Sequence, residues 1–209
     1  GTGTTWNATI DWCVPDVAVP IGIRSTCPYV LPDYLNKFSL ITEGDATISA
    51  KTVYTGIAIG GTLRDGRSSI SKVISSNSNN PSYVNLREGQ ITMNFNRGVT
   101  NGASLQDAGI DFDVFKCLTE KAQNYDNGGY KVVVVDHGGS FNTYNFRNGG
   151  QGEDNGKTLV FFNTAEDIVL QKTNDGRQFG PSVIAPFSKV TLANSAGFVD
   201  GFVVAKSFY

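Results

Sequence analysis

Short apolar runs, separated by glycine and polar residues, recur along most of the chain. The triplet Val183-Ile184-Ala185 returns twenty positions later as Val203-Val204-Ala205, and similar short runs fill the segment 38–74. A repeat of about 20 residues with glycine between the strands is typical of a β-solenoid, in which each coil pairs its backbone with the coils on either side. The pattern therefore predicts a mainly β fold, a β-solenoid (β-helix) of short coils. A hairpin or the edge of a β-sandwich gives similar spacing and stays open as an alternative.

The period of the apolar positions changes in one segment. Between positions 112 and 125 the apolar residues are spaced three or four apart, which is the stripe of an amphipathic helix. The stripe consists of Phe112, Phe115, Leu118, Ala122 and Tyr125. Asp111 suits the N-cap position, and the pair Gly128-Gly129 suits the C-terminal stop. We therefore expect one α-helix, at about residues 111–125, flanking the coils.

A continuous β-branched run follows the helix. It spans Tyr130 to Val135, with the sequence YKVVVV. A strand that is apolar at successive positions has no solvated face, so this run predicts a strand buried on both faces.

The N-terminal residues carry a different pattern, in which polar and apolar residues alternate. Thr5, Asn7, Thr9 and Asp11 alternate with Trp6, Ala8, Ile10 and Trp12. This alternation predicts a β-strand with one apolar face, and its candidate assembly residues are Thr5, Trp6, Ala8, Ile10 and Trp12. The strand either caps the first coil of its own chain or adds itself to the sheet edge of a neighbouring subunit. The four prolines between positions 15 and 32 predict an extended connector after it.

Three segments carry a family resemblance. The run from Phe179 to Phe208 (FGPSVIAPFSKVTLANSAGFVDGFVVAKSF) resembles the closing segment of the choice-of-anchor A domain, which occurs on secreted and surface-attached proteins and is grouped with adhesins. Phe38–Leu63, with its Gly-Ile-Ala-Ile-Gly-Gly turn, resembles the opening segment of that family, and Ile110–Tyr125 resembles its single helix. The resemblance implies a choice-of-anchor A-like β-solenoid domain at 34–209, and residues 1–33, which lie outside it, are expected to be an N-terminal arm or cap. The closing segment is also similar to that of the ice-binding β-solenoid family.

The amino-acid composition limits the kinds of partner that the protein is expected to bind. Charged residues make up 17% of the chain, and the net charge is −2 with both signs dispersed. No basic stripe points to nucleic acid or to an anionic membrane. No apolar run reaches the roughly 18 to 20 residues that a membrane span needs, so no membrane insertion is expected. The chain begins without Met, which we interpret as a mature or trimmed form, and we expect it to be secreted or displayed at the cell surface.

The chain has three cysteines, and two of them would form a disulfide in an oxidising compartment. Cys13 and Cys27 bracket a proline-containing segment, and we predict a disulfide between them, although three free thiols would also fit the sequence. Cys117 lies off the centre of the helical stripe, so it faces either solvent or a cysteine of the arm. Asn7-Ala8-Thr9 is a sequon, which makes Asn7 a glycosylation candidate.

The sequence contains no arrangement that indicates catalysis. His137 is the single histidine, and its neighbours in Asp136–Ser140 (DHGGS) rarely converge into a triad from one turn. One histidine and three scattered cysteines do not form a zinc site. The loops 124–128 and 153–156 hold oxygen donors beside glycine but lack an EF-hand spacing, so calcium binding there stays undecided. We expect no catalytic residue, no metal and no cofactor.

These observations predict a non-enzymatic extracellular adhesion or structural protein. Its partner would be the extracellular matrix, a surface polymer or further copies of itself, and the N-terminal arm would assemble the copies into a surface fibre by strand addition. Ice binding is an alternative, because a solenoid can align hydroxyls such as those of Thr47, Thr52, Thr55 and Thr62. A carbohydrate-binding module is another, in which exposed aromatic residues stack on sugar rings. The aromatic candidates are Tyr83, Phe141, Tyr144 and Phe146.

Overall fold

A computed structural model describes ten parts of the chain. They are residue 27 and residues 31–48, 52–65, 69–78, 85–86, 105–106, 109–122, 131–146, 157–193 and 199–209. Several predictions fall outside them: the arm strand 5–12 with the Asn7 sequon, Cys13, Tyr83, and the loops 124–128 and 153–156. The side chains of Thr52 and Thr55 also lie outside the described set.

The described fold is mainly β, with one α-helix. Its strands are β1 (Phe38–Thr42), β2 (Ala46–Ile48), β3 (Thr52–Asp65), β4 (Ser69–Ser78), β5 (Asn85–Leu86), β6 (Lys131–Val135), β7 (Gly139–Phe141), β8 (Thr158–Phe162), β9 (Ile168–Leu170), β10 (Ser182–Leu192) and β11 (Val203–Phe208). The helix is α1 (Asp113–Glu120), and two 3₁₀ turns occupy Asp33–Asn36 and Thr143–Phe146. Every strand pair within the described residues is parallel. Hairpin and antiparallel sandwich alternatives therefore do not describe this part of the chain.

The strands form two rows. The first row has the order β5-β4-β3-β1-β11-β10-β8-β6, and the second contains β2, β9 and β7 together with the far ends of β3, β10 and β11. β10 belongs to both rows, because Ser182–Ile184 pair with β8 while Val190–Leu192 pair with β9. The strands therefore run around an axis, and each long strand turns from one row into the other.

The twenty-residue repeat corresponds to adjacent strands in register. Val183 lies opposite Val203, Ile184 opposite Val204 and Ala185 opposite Ala205. β11 also pairs with β1 on its other side, with Leu40 opposite Val203. The first and last described strands are thus neighbours inside the sheet. The arm strand lies outside the described residues, so its capping of the first coil stays a prediction, and the first row of described strands ends at β5 and β6.

Successive residues of the central strands point to two separate cores. Leu40, Ile57, Val160, Val183 and Val203 face an inner core between the rows, whereas Ile41, Ala58, Phe161, Ile184 and Val204 face a helix-side core beneath α1. Burial on both faces explains why these strands are continuous apolar runs. β8 is buried at all its positions, but β6 is half-buried at all of its own. The expected two-faced burial of Tyr130–Val135 is wrong, because β6 pairs with β8 alone among the described strands.

The helix is shorter than the apolar stripe indicated. It begins at Asp113, whose N–H donates to the Asp111 carboxylate at 3.1 Å, so Asp111 binds the first turn from outside the helix. The stripe residues Phe112, Phe115, Leu118 and Ala122 are buried in the helix-side core. α1 packs on the outer side of the first row, as a flanking helix should. No helix within the described residues has the length and hydropathy of a membrane span.

A disulfide joins Cys27 to Cys117, with their Cα atoms 5.6 Å apart. The predicted Cys13–Cys27 pair is therefore wrong, and of the two alternatives left open for Cys117, solvent or a cysteine of the arm, the structure has the second. The physical reason is the packing of the residues that precede β1. Tyr34 places its ring 5.9 Å from that of Phe115 and donates its hydroxyl to the Asp111 carbonyl. This packing holds the arm's exit against α1, where Cys117 lies at the half-buried side.

Candidate functional site

The second row presents a line of outward side chains, here called the second-row ladder. Its members are Ser140, Val169, Thr191, Tyr209, Thr47 and Arg64. Ser140 lies opposite Val169, Val169 opposite Thr191, and Thr47 opposite Arg64. Tyr209 lies level with Thr191, because it donates to the Val190 carbonyl at 2.9 Å and accepts from the Leu192 N–H at 2.7 Å.

The ladder is rigid because the residues beside it are anchored in the core. On β9, Ile168 and Leu170 flank Val169 and are both fully buried. On β2, Ala46 and Ile48 flank Thr47 in the same way. Neighbouring strands are about 4.8 Å apart, so the ladder repeats one side chain at about that interval. The result is a narrow, flat, partly exposed strip whose side chains carry hydroxyl, aliphatic, aromatic and guanidinium groups.

Ion pairs border the ladder and supply both signs of charge. The Lys189 ammonium pairs with Asp167 and lies 6.0 Å from the centre of the Tyr209 ring. Arg64 binds the Asp45 carboxylate at 3.1 Å. The Thr62 N–H, at 2.8 Å, and then Arg64 hold the pKa of Asp45 below its usual range. Exposed pairs of this kind contribute less than about 1 kcal/mol each, so they orient side chains more than they stabilise the fold.

Glycine sets how closely two neighbouring bends approach. β3 turns between the rows at Gly60-Gly61, beneath the bend formed by Glu43–Asp45. A Cβ at Gly61 would lie 2.5 Å from the Asp45 carboxylate, and one at Gly60 would meet the Glu43 carbonyl oxygen. This is the turn that the sequence indicated with Gly-Ile-Ala-Ile-Gly-Gly. The tight approach holds Asp45 in place to bind Arg64.

A second polar cluster surrounds Asp175 in the turn before β10. Its carboxylate accepts the hydroxyls of Thr173 and Tyr144 and the Arg177 Nε–H. These hydrogen bonds, that of Thr173 foremost, lower the pKa of Asp175 to about 2. The Arg177 guanidinium also covers the Tyr144 ring at 5.7 Å.

The predicted aromatic platform for sugars does not form from the described candidates. Tyr144 is 39% exposed, but Phe141 and Phe146 are 7% and 4% exposed. Phe141 and Phe146 stack on each other and pack against Phe162 in the inner core. They are structural residues, because the alternation in this segment sends its phenylalanines inward.

His137 lies at the bend between β6 and β7. Its Nδ1 is 2.9 Å from the Gly138 carbonyl oxygen, and its ring centre is 5.6 Å from that of Phe141. Gly138 donates its N–H to the Glu166 carboxylate at 2.7 Å. Among the described residues, no hydrogen bond joins the imidazole to Asp136 or Ser140. The DHGGS segment therefore shapes a bend and aligns Ser140 with the ladder.

A groove of about 630 Å³ lies between the bend at Gly60 and the start of α1. Two of its carboxylates, those of Glu43 and Asp113, are bound by Lys116 Nζ at 2.5 and 3.0 Å. Burial lowers the pKa of Lys116, but these hydrogen bonds outweigh it and raise the pKa overall. Lys116 thus offsets part of the negative charge of the groove, which Asp111 also lines. No group of three or more potential metal ligands occurs among the described residues.

The candidate threonines separate from one another in the structure. Thr47 belongs to the ladder, whereas Thr62 lies at a bend and donates its N–H to Asp45. Sequence reasoning did not select Ser140, Val169, Thr191, Tyr209 or Arg64. A signal was available in the short second strands, which read apolar-X-apolar in Ala46-Thr47-Ile48, Ile168-Val169-Leu170 and Val190-Thr191-Leu192.

Comparison with known proteins adds one match. A family model described as "Putative Ice-binding-like adhesive domain" matches residues 111–209, which include α1 and β6 to β11. This part of the chain is similar to an adhesive domain. The match agrees with the adhesin-like and ice-binding-like parts of the resemblance, and it does not confirm the choice-of-anchor A family. No curated protein and no solved structure matches the chain.

The adhesive-domain match and the disulfide both favour an extracellular location. Disulfides persist in oxidising compartments and are rare in the cytosol. The match also suggests adhesion as the functional class.

Proposed function

We propose that this protein is a non-enzymatic, secreted or surface-displayed adhesion module that binds its partner through the second-row ladder. The observation that carries the proposal is the row of outward side chains, one from each strand, held on strands whose neighbouring residues are buried. A surface that is ordered before binding loses little side-chain entropy when a partner docks. The match to an adhesive domain supports the same class.

The proposal includes a β-solenoid for the domain at 34–209. Two rows of parallel strands, long strands shared between the rows, and a glycine bend at Gly60-Gly61 support this architecture. In a solenoid every coil adds one outward side chain to the second-row ladder, so the ladder is a direct consequence of this architecture.

The partner is the extracellular matrix, a cell-surface polymer or another copy of the chain. The ladder mixes hydroxyl, aliphatic and aromatic groups with paired charges of both signs, which suits an uncharged polymer better than a polyanion. Nucleic acid and membrane insertion are not part of the proposal, and neither are metals or cofactors. Residues 1–33 act as an arm whose strand, Thr5–Trp12, joins subunits into a surface fibre.

Binding to surface polymers tests the adhesive role. The purified chain should be retained on beads carrying cellulose, chitin or fibrillar collagen, or on a lawn of the chain itself. Thr191→Lys places a charge in the middle of the ladder and should weaken that retention at least ten-fold. Gln106→Lys makes the same charge change at an exposed turn away from the ladder and should leave retention unchanged. Equal retention of the two variants, or no retention of the wild type on any of these surfaces, would contradict the proposal.

Ice binding is the second candidate. The description of the matching family favours it, and the ladder contains Thr47 and Thr191. Val169, Tyr209 and Arg64 interrupt the regular threonine array that a dedicated ice-binding face would show. Thermal hysteresis with faceted ice crystals, lost in Thr191→Lys, would favour this function over adhesion. Rounded ice crystals without hysteresis would exclude it.

A further inference from the structure

β6 is the last described strand of the first row, and β8 is the one described strand that pairs with it. It pairs residue for residue with β8, from Lys131 opposite Thr158 to Val135 opposite Phe162. Every residue of β8 is buried, whereas every residue of β6 is half-buried. Because the two strands lie side by side in one sheet, the loss of burial from β8 to β6 agrees with a far side of β6 that no described strand covers.

This edge also lacks the usual protection against pairing. Sheet edges that must stay single carry charges, proline or bulges. Val132–Val135 contain neither charge nor proline. Lys131 is the one charged residue of β6, and its Nζ donates to the Phe146 carbonyl at 2.7 Å, so its charge is held beside the inner core. β6 is therefore a template to which another strand can add.

The side chains of β6 define what kind of strand fits. Val133 and Val135 pack partly against the inner core, and Val132 and Val134 pack partly against the helix-side core. An added strand would continue the inner core with every second side chain and turn the others outward. It should have one apolar face and one polar face.

The arm strand Thr5–Trp12 has that pattern, with an apolar face of Trp6, Ala8, Ile10 and Trp12. Its base is fixed where the Cys27–Cys117 disulfide joins the arm to α1. Fourteen residues separate Trp12 from Cys27, and an extended segment of that length reaches about 45–50 Å. A domain of this size is roughly 40 Å across, so the strand can reach a neighbouring molecule.

We propose that the edge of β6 accepts the Thr5–Trp12 strand of a second copy as an additional strand of the sheet. The inference rests on the proposed fibre assembly and adds the acceptor to it. Donor strand and acceptor edge are different surfaces of one chain, so each contact leaves a free donor and a free acceptor. A contact of this kind does not close on itself and produces a filament.

Cysteine crosslinking between two separate chains tests this inference. Both chains carry Cys13→Ser, so that the native arm thiol is removed; one also carries Thr9→Cys and the other Val134→Cys. These positions lie on the polar face of the arm and on the outer face of β6. After mixing and mild oxidation, we expect a disulfide-linked dimer in which mass spectrometry joins the peptide of residue 9 to that of residue 134. A chain with both new cysteines that crosslinks only within monomers would show that the arm covers its own edge, and would overturn the inference.

A charge at the acceptor edge provides the second test. Val134→Lys should raise the concentration needed for half-maximal assembly at least ten-fold, because it places a guarding charge on the free edge. Gln171→Lys introduces the same charge at a half-buried turn beyond β9 and should assemble like the wild type. Circular dichroism and thermal melting verify that each variant is folded. If Val134→Lys does not fold, the crosslinking experiment alone tests the inference.

The outcomes separate the inference from the function on which it rests. If deletion of residues 1–12 abolishes assembly while Val134→Lys assembles normally and no trans crosslink forms, the arm joins subunits at another site and the β6 acceptor is wrong. If the deletion leaves assembly unchanged, the arm mechanism itself is wrong. Retention on polymer surfaces, tested with Thr191→Lys, is independent of both results.

Discussion

Removing the Cys27–Cys117 disulfide should cost a large share of the stability of the domain. The two cysteines are 90 residues apart in the sequence. In the chain-entropy model, a crosslink that closes a loop of this length stabilises the folded state by about 4.6 kcal/mol relative to the open unfolded chain. Domains commonly have a total free energy of unfolding of about 5–15 kcal/mol, so Cys117→Ser removes a large share of it.

The assays are thermal and urea unfolding of Cys117→Ser and Cys13→Ser side by side under non-reducing conditions. Cys117→Ser opens the long loop and should lower the melting temperature by about 10–18 °C, given about 2–4 °C per kcal/mol for a chain of this size. Cys13→Ser is the matched control, since the same substitution there leaves the Cys27–Cys117 bridge in place. Reduced wild type should unfold like Cys117→Ser.

The opposite ranking would refute the reasoning. If Cys13→Ser lost about 3 kcal/mol, the value for a loop of about 15 residues, and Cys117→Ser lost little, Cys27 would be paired with Cys13 in solution. Peptide mapping without reduction identifies the linked peptides directly and decides between the two pairings.

Three further predictions follow from the glycine bend, the helix-side core and the Asp175 cluster. Gly60→Ala should lower the free energy of unfolding by about 1–3 kcal/mol in a urea titration, because its Cβ would meet the Glu43 carbonyl. Gly44→Ala is the control: its Cβ would lie 3.1 Å from the Lys206 carbonyl, and its loss of stability should be much smaller. Phe161→Ala should lower the free energy of unfolding by about 3–5 kcal/mol, since the ring is fully buried beneath α1. Either a low urea midpoint or a nearly complete loss of folded protein at 37 °C would support this prediction. A loss below about 1 kcal/mol would contradict the two-core arrangement. Asp175 has a folded pKa of about 2 against 3.8 for the free group, so its contribution is complete above about pH 4 and is lost as the pH falls through 2. The melting temperature of Asp175→Asn should therefore lie below that of the wild type at pH 7 and approach it below pH 2, and a difference that is the same at pH 7 and below pH 2 would show that the carboxylate charge is not the cause.

Local periodicity allowed part of the fold to be predicted. The triplets Val183-Ile184-Ala185 and Val203-Val204-Ala205 are adjacent and in register because neighbouring strands of a parallel stack need matching apolar residues at the same height. The stripe from Phe112 to Ala122 gave the helix because its buried side chains recur with the period of the helix itself. In both cases the information lies within a short stretch of sequence.

Contacts between distant segments could not be predicted in this way. Leu40-Ile41-Thr42 carries no repeated triplet that would identify β11 as its neighbour, although the two strands pair in register. The Cys27–Cys117 pair depends on the packing of Tyr34 against Phe115, which no spacing reveals. The ladder escaped detection for a chemical reason: an outward strip tolerates any side chain that suits its partner, so Ser140, Val169 and Thr191 share a position in space without sharing a residue type.

The pairing of β1 with β11 determines how adhesion and assembly relate to each other. Among the described strands β1 and β11 both lie inside the sheet, so the described edges of the first row are those of β5 and β6. The ladder runs along the same stacking direction. Subunits joined at the β6 edge would therefore repeat their ladders along the fibre, and many weak contacts to one polymer would add up through multivalent binding. Assembly through the outward face of the second row would cover the ladder instead. If the protein loses surface binding when it polymerises, the subunits are joined at that face and not at the β6 edge.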